Sequence, residues 1–250
     1  GSFDALLLGH LFLGTILSSA GASAFNMLME RDLDAKMERT KLRPLAAGRL
    51  GVAEAAAFAG LCSAAGVVYL AWQVNVLTAA ISAVTILTYL GLYTPLKTRS
   101  SVCTLVGAVP GALPPVMGWT AARDAFEAPA AILFLILFFW QLPHFLALAW
   151  MYREDYARGG FPMLPVEEPT GASTGRQVVL QTLALLVVSL LPAFFGMAGP
   201  AYLAAALLLG AGFLGFGVAF SVLRTRERAS RLFFASIIYL PLLLAALALL

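Results

Sequence analysis

Long apolar segments alternate with short polar ones along the whole chain. Eight of the apolar segments approach the length of about 20 residues that a helix needs to cross a bilayer. Residues 72–76 are predicted to form a tight turn between the second and third of these segments. The alternative is a chain of seven helices, one of which is long and includes residues 72–76. The pattern predicts an all-α polytopic membrane protein. The eight segments lie near residues 3–25, 52–71, 76–93, 102–121, 128–151, 178–197, 201–222 and 232–250.

The composition excludes an ordinary soluble domain. Of 250 residues, 61% are hydrophobic and 12% are charged, and the mean hydropathy is +0.89, whereas soluble domains carry about 25% charged residues. Residues 1–250 are interpreted as a single transmembrane domain. Cys62 and Cys103 lack the spacing of a metal site or disulfide and are interpreted as small core residues. The chain opens with Gly1 and Ser2, so we expect a processed or truncated start with a helix missing before it.

Charged residues gather on one predicted side of the membrane. With eight helices, the loops at 26–51, 94–101, 152–177 and 223–231 share that side and carry every Lys and Arg except Arg123, together with most of the acidic residues. The positive-inside rule makes this side cytoplasmic or its organellar equivalent. Attraction to anionic lipid explains the arginines of the last loop, but it does not explain the acids.

The first apolar segment runs directly into the first charged loop, and this junction carries the candidate chemistry. If the helix continues through it, Asn26, Glu30 and Asp34 lie at i, i+4 and i+8 and project from one face. Such a set of oxygen-bearing side chains suits Mg²⁺, which proteins often hold with one or two carboxylates plus substrate phosphates. We therefore predict a Mg²⁺ site at this helix end.

Basic side chains follow the acidic face. Arg39, Lys41 and Arg43 lie in the same loop and would suit phosphate groups. Lys97 and Arg99 form a second basic cluster after the third helix. For Arg99, anchoring at the membrane surface is an equally good interpretation.

The fourth apolar segment is rich in helix-breaking residues. Between Gly107 and Trp119 it contains three prolines and three glycines, which predict a kinked or broken helix. Irregular backbone at membrane depth survives only against protein or a cavity. We therefore expect this helix to line a cavity.

A second acidic helix end follows the fifth apolar segment. Glu154 and Asp155 lie four helices after the first acidic end and on the same predicted side. Two four-helix halves, about 3–121 and 128–250, related by a parallel repeat would give this spacing. His144 lies about three turns before Glu154, so a role in the cavity is favoured over a structural one.

His10 is the other histidine. It lies on the first helix, far from the remaining polar residues. An intramembrane histidine is a functional candidate in principle, but we expect this one to make a local structural hydrogen bond.

Five motifs together carry a resemblance to a known family. They are N-x-x-x-E-x-x-x-D and M-x-R-T-K-x-R-P-L within 26–45, Y-T-P-L-K at 93–97, G-A-L-P-P-V-M-G-W at 111–119, W-Q-x-P-H-F at 140–145, and R-E-D-Y with P-M-L within 153–164. They resemble the UbiA superfamily of intramembrane prenyltransferases. The proline-glycine helix and the W-Q-x-P-H-F stretch resemble its heme branch, the protoheme IX farnesyltransferases or heme O synthases.

The resemblance implies a bundle of nine helices around a central cavity, of which eight are visible here. It also implies Mg²⁺ bound by two acidic motifs and transfer of farnesyl from farnesyl diphosphate to a vinyl group of heme b, giving heme O for terminal oxidases. Two departures stand out. Glu30 occupies a position where Asp is commoner, and the second motif is the compact Arg153–Tyr156 in place of two Asp four residues apart.

The roles that follow are consistent with the chemistry, because breaking an allylic C–O bond requires cations on the leaving group and a dry apolar wall for the isoprenoid. His144 and Tyr156 are candidates to touch the porphyrin or orient water. The expected metal ligands are Asn26, Glu30, Asp34, Glu154 and Asp155. The expected diphosphate ligands are Arg39, Lys41, Arg43, Lys97 and Arg153. The expected catalytic set is Asn26, Glu30, Asp34, Lys97 and Asp155.

Two other functions fit part of the pattern. A related enzyme with a phenolic or quinone-precursor acceptor would use the same ionisation chemistry. The W-Q-x-P-H-F stretch is the feature that distinguishes the heme branch from such an enzyme. A secondary transporter would also have parallel repeats and a broken helix, but its acids should lie near the bilayer midplane.

The expected partners are farnesyl diphosphate, protoheme IX and the lipid bilayer, with heme A synthase or oxidase assembly factors downstream and no nucleic acid. The expected location is the bacterial cytoplasmic membrane, or the mitochondrial inner membrane, with the active face toward the cytoplasm or matrix.

Overall fold

The computed structural model describes residues 4–250 and is built from helices, with no strand in that range. Eight helical stretches are long and apolar enough to cross a membrane, which confirms the predicted all-α polytopic architecture. The predicted helix start at Phe3 lies outside the described residues. The helices are α1 (Ala5–Asp34), α2 (Val52–Gln73), α3 (Val76–Thr88), α4 (Thr94–Leu96), α5 (Cys103–Ala112), α6 (Pro114–Arg123), α7 (Ala128–Met151), α8 (Arg153–Gly159), α9 (Leu164–Glu167), α10 (Ala172–Phe194), α11 (Pro200–Leu223) and α12 (Arg226–Leu249).

Helix ends follow local capping chemistry more closely than hydropathy. The predicted turn at 72–76 is confirmed, and Asn75 caps α3 by accepting a 2.7 Å hydrogen bond from the Thr78 N–H. Thr225 caps α12 in the same way, so α12 begins six residues before its predicted apolar segment at 232. α10 also begins six residues early, at Ala172 instead of 178.

α1 and α2 are in backbone contact. A Cβ added to Gly66 would overlap the backbone nitrogen of Ser18, and one added to Gly21 would overlap Ser63. Small residues at these positions let the two helices approach closely, as membrane helices commonly do.

The third and fourth spans both depart from a regular helix. The third continues from α3 through a π-helical turn, Tyr89–Tyr93, into α4. The fourth breaks at Leu113, between α5 and α6, because Pro114 has no N–H to donate to the Pro110 carbonyl. The predicted broken helix is therefore confirmed.

The second half of the chain encloses a filled core. α7 packs against α10 and α12, and α11 packs against both of these. Ile136, Leu185, Phe220 and Leu232 are fully buried between them, and the Tyr202 hydroxyl donates to the Ser189 carbonyl at 2.7 Å. The internal repeat stays a prediction. The core between these four helices is therefore filled by side chains.

Candidate active site

Four loops meet at one end of the bundle. Lys97, after the third span, donates to Glu30 on α1, and Asp155, after the fifth span, accepts hydrogen bonds from the loop that follows α1. Arg224, before α12, donates to the Thr170 carbonyl at 3.2 Å. We call this the charged end. It comprises residues 26–51, 94–101, 152–177 and 223–231.

The acidic face of α1 is buried at the charged end, as the helical spacing predicts. The Lys97 ammonium donates to both Glu30 oxygens, at 2.8 and 3.0 Å, and only 4% of the Glu30 surface is exposed. The Asn26 side-chain amide donates to the Thr94 hydroxyl at 3.1 Å, one turn closer to the membrane. The π-helical turn brings Thr94 and Lys97 into reach, so an irregular element completes the site.

Asp34 is the least exposed of the three and has one free oxygen. Its Oδ2 accepts a 2.8 Å hydrogen bond from Arg43, but its Oδ1 is buried and has no hydrogen-bond partner among residues 4–250. A buried carboxylate oxygen without a partner is costly, and a cation beside it would remove that cost. Together, Asn26, Glu30 and Asp34 form what we call the α1 column, and their chemistry suits a divalent ion.

Asp155 clamps the loop that follows the α1 column. Its Oδ1 accepts from the Glu38 N–H at 3.1 Å and its Oδ2 from the Arg39 N–H at 3.2 Å, and Arg158 donates to it as well. Burial alone would raise the pKa of Asp155, but the hydrogen bonds from Arg158 and the two backbone groups lower it below its ordinary value. Asp155 is therefore ionised and holds the backbone of the loop at Glu38 and Arg39.

The five predicted metal ligands do not form one cluster. Three belong to the α1 column, whereas Glu154 is exposed and both oxygens of Asp155 are occupied. Within residues 4–250, no three His, Cys, Asp or Glu side chains converge on a common point. Direct metal binding by Glu154 and Asp155 stays a prediction.

The predicted phosphate-binding cations differ in how free they are. Lys97 and Arg43 are paired with the α1 column, and the exposed Lys41 is paired with a neighbouring glutamate. The Arg39 guanidinium lies 5.9 Å from the centre of the Tyr156 ring and makes no ion pair in the described part of the chain. Arg153 lies over the indole ring of Trp150 and likewise makes no ion pair there. Arg39 is thus available for an anion.

A cavity of about 420 Å³ adjoins the α1 column. Ser23, one turn before Asn26, lines it, and so does Tyr93, whose ring centre is 4.9 Å from the Lys97 ammonium. The broken helix contributes to the wall, as predicted. Hydroxyl groups line one side, from Thr15, Ser18, Ser19, Ser23, Ser82 and Thr85. Largely apolar groups line the other, from Pro110, Gly111, Pro114, Met117, Phe145 and Leu148.

In the W-Q-x-P-H-F stretch, the residue that lines the cavity is Gln141 and not the expected His144. His144 is not part of the cavity lining: its Nδ1 lies 2.7 Å from the Ser236 hydroxyl and its ring stacks on Phe233, both on α12. Its contact with the porphyrin stays a prediction that this geometry does not favour. Gln141, one turn earlier, does line the cavity. Sequence reasoning missed it, although an amide in an apolar span is a usable signal.

The remaining histidine is structural, as expected. The Nδ1 of His10 lies 2.7 Å from the Tyr69 hydroxyl on α2. This hydrogen bond pairs His10 with a residue of the neighbouring helix, as predicted.

The chain is similar to known proteins over nearly its whole length. A relative from Solibacter usitatus (strain Ellin6076), named protoheme IX farnesyltransferase, is 49% identical over 97% of this chain and 83% of its own. A relative of the same name from Koribacter versatilis (strain Ellin345) is 43% identical over 96% of this chain and 80% of its own.

Two solved structures share the fold. That of a digeranylgeranylglyceryl phosphate synthase matches 98% of this chain and 86% of its own with a TM-score of 0.82 at 18% identity. A UbiA homologue from Aeropyrum pernix K1 matches 99% of this chain and 90% of its own with a TM-score of 0.76 at 17% identity. The UbiA prenyltransferase family matches residues 1–238. The chain therefore belongs to the UbiA prenyltransferase family.

Proposed function

We propose that this chain transfers the farnesyl group of farnesyl diphosphate to a vinyl group of protoheme IX. The observation that carries the proposal is that the α1 column and its matched cations follow directly after Ser23 and lie beside Tyr93, both of which line a largely apolar cavity that suits an isoprenoid. The choice of substrates follows the name shared by near full-length relatives at 40–49% identity. The α1 column lies at one end of the bundle, which favours an enzyme acting at a membrane surface over a transporter with acids at mid-depth.

The α1 column is proposed to hold Mg²⁺. When bound, the ion neutralises charge on the diphosphate as the allylic C–O bond breaks. Asp34 would hold the ion through its free buried oxygen, and Glu30 would hold it in place of the Lys97 ammonium with which it is paired. Lys97 would then act on the phosphates as a point charge.

Three further residues contribute to the diphosphate site in this proposal. Arg39 and Arg43 supply guanidinium groups that suit phosphate oxygens, and Asp155 acts on the site by holding their loop. The apolar wall of the cavity shields the allylic cation from bulk water. The charged end faces the cytoplasm of a bacterium, or the matrix, because it carries nearly all the basic residues; heme A synthase or oxidase assembly factors would take up the product.

The proposal is tested with purified protein in lipid nanodiscs supplied with Mg²⁺, farnesyl diphosphate and heme b. Mass spectrometry is expected to detect a farnesylated heme and diphosphate release in step with it. A parallel reaction with a phenolic acid tests the alternative acceptor. Prenylated phenol without any heme product would contradict the proposed acceptor and leave the diphosphate site intact.

A further inference from the structure

Gln141 is a buried polar residue that the diphosphate chemistry does not use. It lies on α7, is 4% exposed and lines the cavity. Its amide nitrogen donates both hydrogens to backbone carbonyls, to Ala108 at 2.9 Å and to Leu137 at 3.1 Å. Only the nitrogen end of an amide can face two carbonyl oxygens, so the orientation of the group is set.

The side-chain oxygen of Gln141 is left free by this arrangement. Oε1 makes no hydrogen bond to any residue in the described range 4–250, and it lies against Gly111, which also lines the cavity. A Cβ at Gly111 would overlap Oε1. The broken helix therefore makes room for this oxygen, and two backbone contacts hold it rigidly.

The acceptor reaction needs a polar group inside the cavity. A C–C bond forms between the farnesyl C1 and the terminal vinyl carbon as the C–O bond to diphosphate breaks, which leaves positive charge on the inner vinyl carbon. The cation either loses a proton from the adjacent CH2, the former terminal vinyl carbon, to give an alkene, or adds water at the inner carbon to give an alcohol. In the second case a water lone pair forms the new C–O bond, and the released proton leaves with the diphosphate.

We propose that Gln141 is a positioning residue that holds the water which adds to the farnesylated vinyl group. This inference rests on the proposed function. The Oε1 accepts a hydrogen bond from the water, and this directs a lone pair of the water toward the cation. An amide is too weak a base to keep the proton that the water releases. A held water needs two to four polar partners, and hydroxyl-bearing side chains also line this cavity.

The test measures the ratio of unhydrated to hydrated farnesyl heme, with heavy-oxygen water to label the alcohol. Gln141→Met removes the acceptor oxygen at similar volume, and Gly111→Ala displaces it while keeping the glutamine. We expect both variants to raise the ratio by roughly tenfold, the scale of losing one hydrogen bond to a reacting group. Gln177→Leu, at an exposed position on α10, is the matched control and should leave the ratio unchanged.

A product ratio does not depend on how much of each variant folds. Lower total product with an unchanged ratio would overturn the inference and leave Gln141 a structural residue. Loss of both products in both variants would also overturn it, because the C–C bond forms before the water reacts. Absence of any heme product from the wild-type protein would instead contradict the proposed function itself.

Discussion

Each carboxylate of the α1 column is matched to a cation from a different loop. Glu30 is paired with Lys97 from the loop after the third span, and Asp34 with Arg43 from the loop after α1. Removing one member of a buried ion pair leaves an uncompensated charge and is strongly destabilising. Replacing each of these residues by a polar one of similar shape therefore tests its role in catalysis separately from its role in folding.

We expect Asp34→Asn to lower farnesyl transfer by about 100-fold or more, the scale seen when a preorganised electrostatic group is removed. The variant should remain folded, because the amide keeps the size of the side chain. Asp32→Asn is the control, since the Asp32 side chain is 83% exposed on the same helix. Initial rates at saturating Mg²⁺ measure the effect; wild-type turnover by the Asp34 variant would remove Asp34 from the site.

Lys97→Gln is expected to weaken the use of farnesyl diphosphate far more than the use of heme. The amide can still donate to Glu30, but the charge that meets the phosphates is lost. The KM for farnesyl diphosphate should rise about tenfold, with the KM for heme unchanged. The exposed Arg99 provides the control variant, Arg99→Gln. An equal loss for both substrates, or no loss, would favour membrane anchoring as the role of Lys97.

At the scale of elements, the loop at 35–49, which follows the α1 column in the chain, is held against α8. Met37 is buried against Gly159 at the end of α8, and Asp155 at its start binds two backbone N–H groups of the loop. The apolar contact holds the loop at one point, whereas the carboxylate fixes the backbone that carries Arg39. The short helix thus supports the loop that carries Arg39.

Asp155→Asn should loosen this loop at neutral pH, because a neutral amide binds the two N–H groups and Arg158 more weakly. Hydrogen exchange at the Glu38 and Arg39 amides is expected to accelerate about tenfold or more, with Glu154→Gln as the unchanged control. Exchange at wild-type rates would show that other contacts hold the loop.

The same clamp predicts a pH dependence of the wild-type loop. Hydrogen bonds lower the folded pKa of Asp155, so its stabilising effect is fully present above the ordinary Asp pKa of about 3.9. The effect is lost as the pH falls through the lower folded pKa. Protection of the two amides should therefore persist at pH 5 and above and decline only in stronger acid.

At the scale of the whole molecule, a solid half supports a half that contains the cavity. The core between α7, α10, α11 and α12 is filled by large side chains, while the cavity lies among α1, α3, α5, α6 and α7. α7 belongs to both, with His144 facing α12 and Gln141 facing the cavity. A filled second half keeps the α7 wall of the cavity in place.

The charge distribution predicts how the molecule sits in its membrane. In a background without Cys62 and Cys103, Thr98→Cys at the charged end should react with a membrane-impermeant thiol reagent only from the cytoplasmic side. Phe126→Cys, in the exposed loop between α6 and α7, should react only from the opposite side. Labelling of intact cells and of inverted vesicles measures this, and the reverse pattern would contradict the assigned face.

The sequence by itself determined the eight spans, the charged end, the acidic face of α1 and the break in the fourth span. These features depend on composition over about 20 residues or on the helical repeat, and proline acts locally on its own helix. They could be predicted because neighbouring residues alone set them.

Only the tertiary structure decided which side chains meet. Asp155 binds an N–H group 117 residues away, and Gln141, not His144, faces the cavity. In a water-soluble helix the polar face would indicate the buried side, but in lipid the outer face is as apolar as the core, so hydropathy does not report the rotation of a span. The rotation of α7 is set instead by its contacts with α5, α10 and α12, and these contacts exist only once the bundle has assembled.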